Sequence, residues 1–393
     1  MEQTTRVTEK EYCYVKEVLD TQFRNSRAGG TIRKLEETFA KTFGVSYAIA
    51  LVNGTATLHT ALFGAGVSPG DEVIVPPLTM ASTALAVLQI GATPIFVDVD
   101  PLTFNLDPKK IEGEITKNTK AIMPVSLFGL SPDFDPILEI AKRHNLFVIE
   151  DDAQCFLGKY KDRLVGSVGD IASFSFQLSK HITCGEGGMV VTNNEELAGK
   201  MRCFSTLGYG AVLATPGKGK ITKDKIQDPQ YDRHVMVGWN YRISEVAAAV
   251  ALAQVERLQE LVEVRVQSAR LYSEAVRGCS WLVPQAVPES YVHSYWTYVL
   301  KLENEEKFSW YDFRKKYVEL GGDSFYACWK PNYLEPVFQS GAIKTRQAFR
   351  PGLCPVTEDL QKKLLQFKTN YYDPNVAEQK AEALAKTIRY FGE

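Results

Sequence analysis

A chain of 393 residues exceeds the usual domain size of about 100–200 residues, so two or three domains are expected. With 45 Lys and Arg against 47 Asp and Glu, the formal net charge is −2. That balance argues against general nucleic-acid binding, which needs a basic footprint to displace counterions from phosphates.

The N-terminal run MEQTTRVTEKEYCYVKEVLD is polar and holds no apolar stretch of the kind a secretory leader carries. No apolar run reaches the roughly 18–20 residues that cross a bilayer. The longest candidate, 81–99, contains Ser82, Thr83, Gln89, Gly91 and Pro94 and reads as a helix followed by a buried strand. Cys13, Cys155, Cys184, Cys203, Cys279, Cys328 and Cys354 are scattered, odd in number and free of CxxC pairs. The five histidines are scattered too, so no zinc site is expected. These features lead to the expectation of a cytoplasmic protein with reduced thiols, no metal and no membrane or nucleic-acid partner.

From residue 32 to 200, helical patterns alternate with short apolar runs. Helices are expected at 33–43, 57–65 and 81–89. Strands are expected at 48–52, 72–75, 94–97, 121–124, 146–149, 171–176 and 188–191. Several of these runs are apolar throughout, as in strands buried on both faces of a sheet. Strand–helix alternation predicts an α/β fold with a mainly parallel sheet, whose ligands bind beyond the carboxyl ends of the strands. The stretch 209–234 is polar, lysine-rich and punctuated by Gly and Pro, and reads as a long loop. A single long helix is expected from Ser244 to about Tyr272, with Leu252, Val255, Leu258 and Val262 at helical spacing.

Four segments bear on chemistry. Asn53-Gly54-Thr55-Ala56-Thr57 stands between a strand and a helix, where glycine admits a ligand and free N–H groups attract an anion. Thr55 or Thr57 as a plain helix cap is the alternative. Glu150-Asp151-Asp152-Ala153-Gln154 crowds three acids at a strand end. Their mutual repulsion is unfavourable unless one of them meets a cation, such as a pyridinium nitrogen. Lys180 follows Ser173-Phe174-Ser175-Phe176-Gln177-Leu178-Ser179 and precedes the turn Gly185-Glu186-Gly187-Gly188. A lysine desolvated there can hold a neutral amine. Gly238-Trp239-Asn240-Tyr241-Arg242 precedes the long helix and says little by itself. No P-loop and no GxSxG elbow is present.

Together and in this order, these segments resemble the DegT/DnrJ/EryC1/StrS family of sugar aminotransferases. The resemblance covers nearly the whole chain, including GVSYAIALVNGTATLHTAL, SPGDEVIVP, GATPIFVDVDPLTFNLDP, VIEDDAQ, SFSFQLSKHITCGEGGMVVTN and GWNYRISEVAAAVALAQVERL. It implies a three-layer αβα fold-type I domain over 1–250 that binds pyridoxal 5'-phosphate (PLP), and a smaller α+β domain over 251–393. It implies Lys180 as the Schiff-base lysine and Asp151 facing the pyridinium nitrogen. Gln154 would contact the ring's 3-oxygen, and Gly54, Thr55, Ala56 and Ser175 would hold the phosphate. Asn240 would reach that phosphate from a second subunit, so a homodimer is implied. The implied partners are an amino-acid donor, glutamate above all, and a keto-sugar, in most of the family nucleotide-linked. Met80 stands where the family places an aromatic against the ring, and Ser126 where many members have His. Lysines 218, 220, 223 and 225 of the long loop would meet a substrate diphosphate, with a solvated loop as the plainer reading. Two alternatives stay open: a sugar 3-dehydratase, whose relatives carry His in place of the lysine, and a catalytically silent regulator.

Overall fold

The computed structural model describes residues 5–23, 30–211, 224, 227–303, 307–324 and 326–392. Five strands, β1 (Tyr47–Leu51), β2 (Glu72–Val75), β3 (Thr93–Phe96), β4 (Thr119–Ile122) and β5 (Phe147–Asp151), precede a two-stranded hairpin of β6 (Lys159–Tyr160) and β7 (Arg163–Leu164). β8 (Ile171–Ser175) and β9 (Gly188–Thr192) follow. Seven of them form one sheet in the order β1-β9-β8-β5-β4-β2-β3. The pairs joining β3, β2, β4, β5 and β8 are parallel, while β9 runs antiparallel to both β8 and β1.

Helices cover both faces of this sheet, and the strand alternation says which residue serves which layer. Ile49 and Leu51 of β1 pack with Leu58 and Leu62 of α3 (Gly54–Gly64), Val87 of α4 (Ser82–Gln89) and Met201 of α6 (Glu195–Ser205). Ala48 and Ala50 turn to the opposite face, against Leu35, Phe39 and Phe43 of α2 (Thr31–Phe43) and Leu252. The i, i+4, i+8 spacing of those α2 residues makes one apolar stripe. Gly44, at φ 66, ends α2 in the left-handed conformation that a side chain would disfavour. Ile137 and Ile140 of α5 (Phe134–His144) cover Ile74 and Ile122 on that second face. α1 (Glu9–Asp20) begins with a capping box in which Thr8 and Glu11 satisfy each other's backbone donors.

The long helix expected from Ser244 is two helices, Glu245–Glu256 and Leu258–Ala275. Arg257 leaves helical geometry at φ −110 and ψ 12. Its guanidinium binds Glu11 at 3.1 Å and the Thr8 hydroxyl at 3.3 Å, contacts to which an apolar repeat is blind. Apolar residues up to Val262 pack in the large-sheet core, and those from Ala269 onward pack under a second sheet. That sheet joins β10 (Leu282–Pro284), β11 (Thr297–Leu302), β13 (Leu364–Lys368) and β12 (Tyr326–Ala327) in that order, all antiparallel. Helices Trp310–Glu319 and Pro374–Gly392 supply Phe313, Tyr317 and Leu384 to its core. The chain between them returns to the large sheet, where Tyr333, Phe338 and Cys354 pack near Phe96.

One buried ion pair ties α2 to α6. Glu36 receives Arg202 at 3.1 and 2.9 Å and the Ala50 N–H at 3.0 Å. Because the pair is almost wholly desolvated, removing one partner strands the other. Arg202→Met should therefore lower unfolding free energy by about 3 kcal/mol or more in urea titration. A change below about 0.5 kcal/mol would show that Glu36 finds another donor.

Among the described residues no helix is long and apolar enough to cross a membrane, and no His/Cys/Asp/Glu cluster could hold a metal. The seven cysteines are free. Lysines 218, 220, 223 and 225 of the long loop lie outside the described residues; its flanks are joined by a bridge between Tyr209 and His234.

Candidate active site

Strand β5 and the residue after it deliver three acids, and the alternation of an extended chain sorts them. Its end is pinned by the Asp151 N–H to Pro124 carbonyl bond (2.9 Å) and by the Asp152 N–H to Ser173 carbonyl bond (2.8 Å). Glu150 accepts the backbone N–H groups of Gly166, Val168 and Gly169 at 2.8, 2.8 and 2.6 Å. Asp152 accepts the Ser126 hydroxyl at 2.7 Å. Burial, reinforced by the charge of Glu150, pushes the Asp152 carboxyl well above the usual range. Ser126, the departure from the family's histidine, thus has a partner in this chain.

Asp151 lies between these two and faces the other way. Its Oδ2 accepts the Thr83 hydroxyl at 2.7 Å and its Oδ1 the Ala153 N–H at 3.3 Å. It is only 4% exposed, and burial raises its carboxyl above the ordinary value. A buried carboxylate with two donors is suited to a cationic ring nitrogen. Thr83 is a site residue that sequence reasoning missed. It stands 68 positions before Asp151, and no local pattern connects them.

Lys180 sits in the turn after β8. The turn is shaped by Gln177, whose Oε1 accepts from the Ser179 N–H and hydroxyl at 2.8 and 2.7 Å. The Lys180 amine rests 4.3 Å from the centre of the Trp296 ring. Burial lowers its pKa to about 8; the charge of Asp151 opposes that shift and the charge of Arg265 adds to it. About a tenth of the amine is therefore neutral and nucleophilic at pH 7, far more than an ordinary lysine offers. His181 is wholly buried with Nε2 2.9 Å from the Ser294 carbonyl, and burial holds it well below its usual pKa. That environment gives His181 a packing role.

Asn53, rather than Thr55 or Thr57, caps α3, so the helix starts three residues earlier than its apolar pattern suggests. The Asn53 side chain accepts the Ala56 N–H at 2.8 Å. The N–H groups of Gly54 and Thr55 belong to a first turn, which has no intrahelical acceptors. Ser175 packs against this turn: a Cβ placed on Gly54 would lie 2.7 Å from the Ser175 Cβ. The Thr57 and Ser173 hydroxyls, 2.6 Å apart, hold the helix to β8 beneath. A small anion fits this cradle of glycine, hydroxyl and helix N-terminus.

Gln154 is buried and accepts the Phe128 N–H at 2.9 Å. Met80 is 51% exposed, two residues before α4. Asn240 is exposed, accepts Arg242 Nε at 2.9 Å and bridges to Thr206. Among the described residues, no hydrogen bond joins Met80 or Asn240 to the lysine, the acid or the cradle.

Residues 5–388 match the model of the DegT/DnrJ/EryC1/StrS aminotransferase family. The chain is 43% identical over 298 residues to the GDP-perosamine synthase of Caulobacter vibrioides, covering 76% of each. It is 41% identical over 290 residues to the GDP-perosamine synthase of Escherichia coli O157:H7, covering 74% of each. Its fold matches the X-ray structure of the aminotransferase from Psychrobacter cryohalolentis with a TM-score of 0.86, at 28% identity and over 100% of both chains. The chain belongs to the DegT/DnrJ/EryC1/StrS aminotransferase family and is a PLP-dependent aminotransferase of keto-sugars.

Proposed function

We propose that the enzyme aminates a GDP-linked 4-keto-6-deoxy sugar with L-glutamate as donor, and that Lys180 carries the reaction. The observation that supports this most is a buried lysine with its pKa lowered to about 8, opposite a buried carboxylate, in a chain more than 40% identical to two GDP-perosamine synthases. PLP, when bound, supplies the electron sink that makes the donor's α-proton removable.

The protein's own groups do the rest. Lys180 holds the cofactor by its amine in the resting enzyme. With the cofactor bound, Nζ of Lys180 would carry the donor's α-proton to the cofactor and, in the second half, a proton from the cofactor to the sugar carbon. Asp151 keeps the ring nitrogen protonated, and Thr83 holds Asp151 in place. Ser175 and the N–H groups of Gly54 and Thr55 hold the phosphate; the Ala56 N–H is already engaged by Asn53. Gln154 would hold the cofactor's ring oxygen, and Met80 would offer its thioether to the ring.

The working form is a homodimer in which Asn240 of one subunit completes the phosphate site of the other. Val235, Val237 and Trp239 beside Asn240 are 62%, 87% and 49% exposed, an apolar strip suited to burial against a second copy. A lysine at 180 rather than a histidine disfavours the dehydratase alternative.

Incubation with PLP, L-glutamate and a GDP-linked 4-keto-6-deoxyhexose should release 2-oxoglutarate and a GDP-linked amino sugar in equal amounts by mass spectrometry. The dTDP- and UDP-linked analogues should turn over at least about tenfold more slowly, the discrimination that one or two lost polar contacts provide. A nitrogen-free, dehydrated sugar as the main product would overturn the reading, and equal rates on all three nucleotides would remove the GDP assignment.

A further inference from the structure

A guanidinium that no motif marks stands behind the Lys180 turn. Arg265 lies on the helix Leu258–Ala275, on the same buried stripe as Leu258, Leu261, Val262, Ala269 and Tyr272, and is 2% exposed. A buried charge ordinarily finds an opposite one. Here the partners are uncharged oxygens. Nη1 donates to the Trp296 carbonyl at 2.7 Å and the Thr369 hydroxyl at 3.3 Å. Nη2 donates to the carbonyls of Ser179 at 2.9 Å and Lys180 at 2.8 Å. Nε has no acceptor.

The same tryptophan completes the arrangement. Its indole Nε1 donates to the Ser179 carbonyl at 2.8 Å, and its ring lies beneath the Lys180 amine. One guanidinium therefore fixes both the backbone that carries the lysine and the backbone of the residue on which its amine rests. A lysine in its place could not span these carbonyls, because an ammonium lacks the planar fork.

We infer that Arg265 is a positioning residue for the nucleophilic lysine: it locks the Lys180 turn by its carbonyls and leaves an unneutralised positive charge beside the amine. The inference rests on the reading of Lys180 as the cofactor-bearing residue. Among the described residues, the charged groups acting on the Lys180 amine are Asp151 from β5 and Arg265 from its helix; Arg6 of the N-terminal segment donates Nη2 to the Lys180 carbonyl at 3.3 Å and faces Arg265. His181 beside it is buried neutral. Burial lowers Arg265 itself only to about 10, so it stays charged at neutral pH. Asp151 favours the ammonium form of Lys180, and Arg265 favours the neutral amine.

The test is the pH dependence of Lys180 acetylation by acetic anhydride, read by peptide mass spectrometry on the full chain stripped of cofactor. The parent should reach half-maximal reactivity near pH 8. In Arg265→Gln, which keeps an amide donor and loses the charge, the half-point should move up. A rise of one unit cuts labelling at pH 8 about fivefold. Arg265→Lys keeps the charge and should restore most of the half-point while loosening the turn, seen as faster hydrogen exchange at residues 177–181. An unchanged half-point in Arg265→Gln would overturn the inference. If that variant does not fold, Trp296→Phe removes only the indole donor. It should speed exchange at 177–181, and exchange as slow as in the parent would count against the clamp. Borohydride reduction of the cofactor-loaded parent judges the other reading separately, because it fixes cofactor to Lys180 only if that residue carries it.

Discussion

Replacing Lys180 with Ala lowers kcat for glutamate-dependent amination by at least about 10⁴-fold, because one amine both holds the cofactor and moves the proton. The loss should fall on kcat rather than on folding. The Lys180 side chain offers its neighbours an amine over the Trp296 ring and a charge toward Asp151, while the turn is held by the Lys180 carbonyl, which every substitution keeps. Thermal unfolding of the cofactor-free variant should thus match the parent or exceed it, since a buried, partly charged amine is removed. Lys180→Arg should be as inactive, because a guanidinium stays protonated and cannot act as nucleophile or base. An added small primary amine should return part of the proton-transfer rate to Lys180→Ala and none to Lys180→Arg, whose side chain fills the space. Normal multiple turnover by Lys180→Ala would remove the assignment.

A second large effect is expected at Asp151. Asp151→Asn keeps the shape and can still accept from Thr83, yet it deletes the charge that holds a proton on the cofactor's ring nitrogen. We expect kcat to fall on the order of 10²–10³-fold, the size of losing one preorganised electrostatic contact. The stability readout should move the opposite way. Burial raises the Asp151 pKa in the folded protein. A raised folded-state pKa gives stability that is full below the unfolded-state value and is lost as pH rises through the folded one. At neutral pH the charged carboxylate therefore costs stability in the cofactor-free protein, and Asp151→Asn should not lower its Tm. Adding PLP should then raise the Tm of the parent more than that of the variant. A variant with parent-like kcat, or one that melts much earlier without cofactor, would show that Asp151 serves the fold rather than the ring.

By itself the sequence determined the alternating α/β plan, the strands buried on both faces and the membership of an aminotransferase family. It also put Asp151 and Lys180 at the ends of two buried strands. These are local properties: a fully apolar run such as Val73-Ile74-Val75 reports its own burial, and a motif of ten or twenty residues reports its ancestry. Tertiary structure alone decided what each residue meets. Nothing local says that β9 inserts antiparallel between β1 and β8, that Thr83 holds Asp151, or that Arg257 interrupts a helix to bind Glu11. Arg265 left a trace, a charge on a stripe where the repeat calls for an apolar residue. Its partners at 179, 180 and 296 come from the turn after β8 and from the segment leading into the second sheet. Periodicity encodes which side of an element is buried, and a buried polar group takes its meaning from partners that only the packed chain brings within about 3 Å.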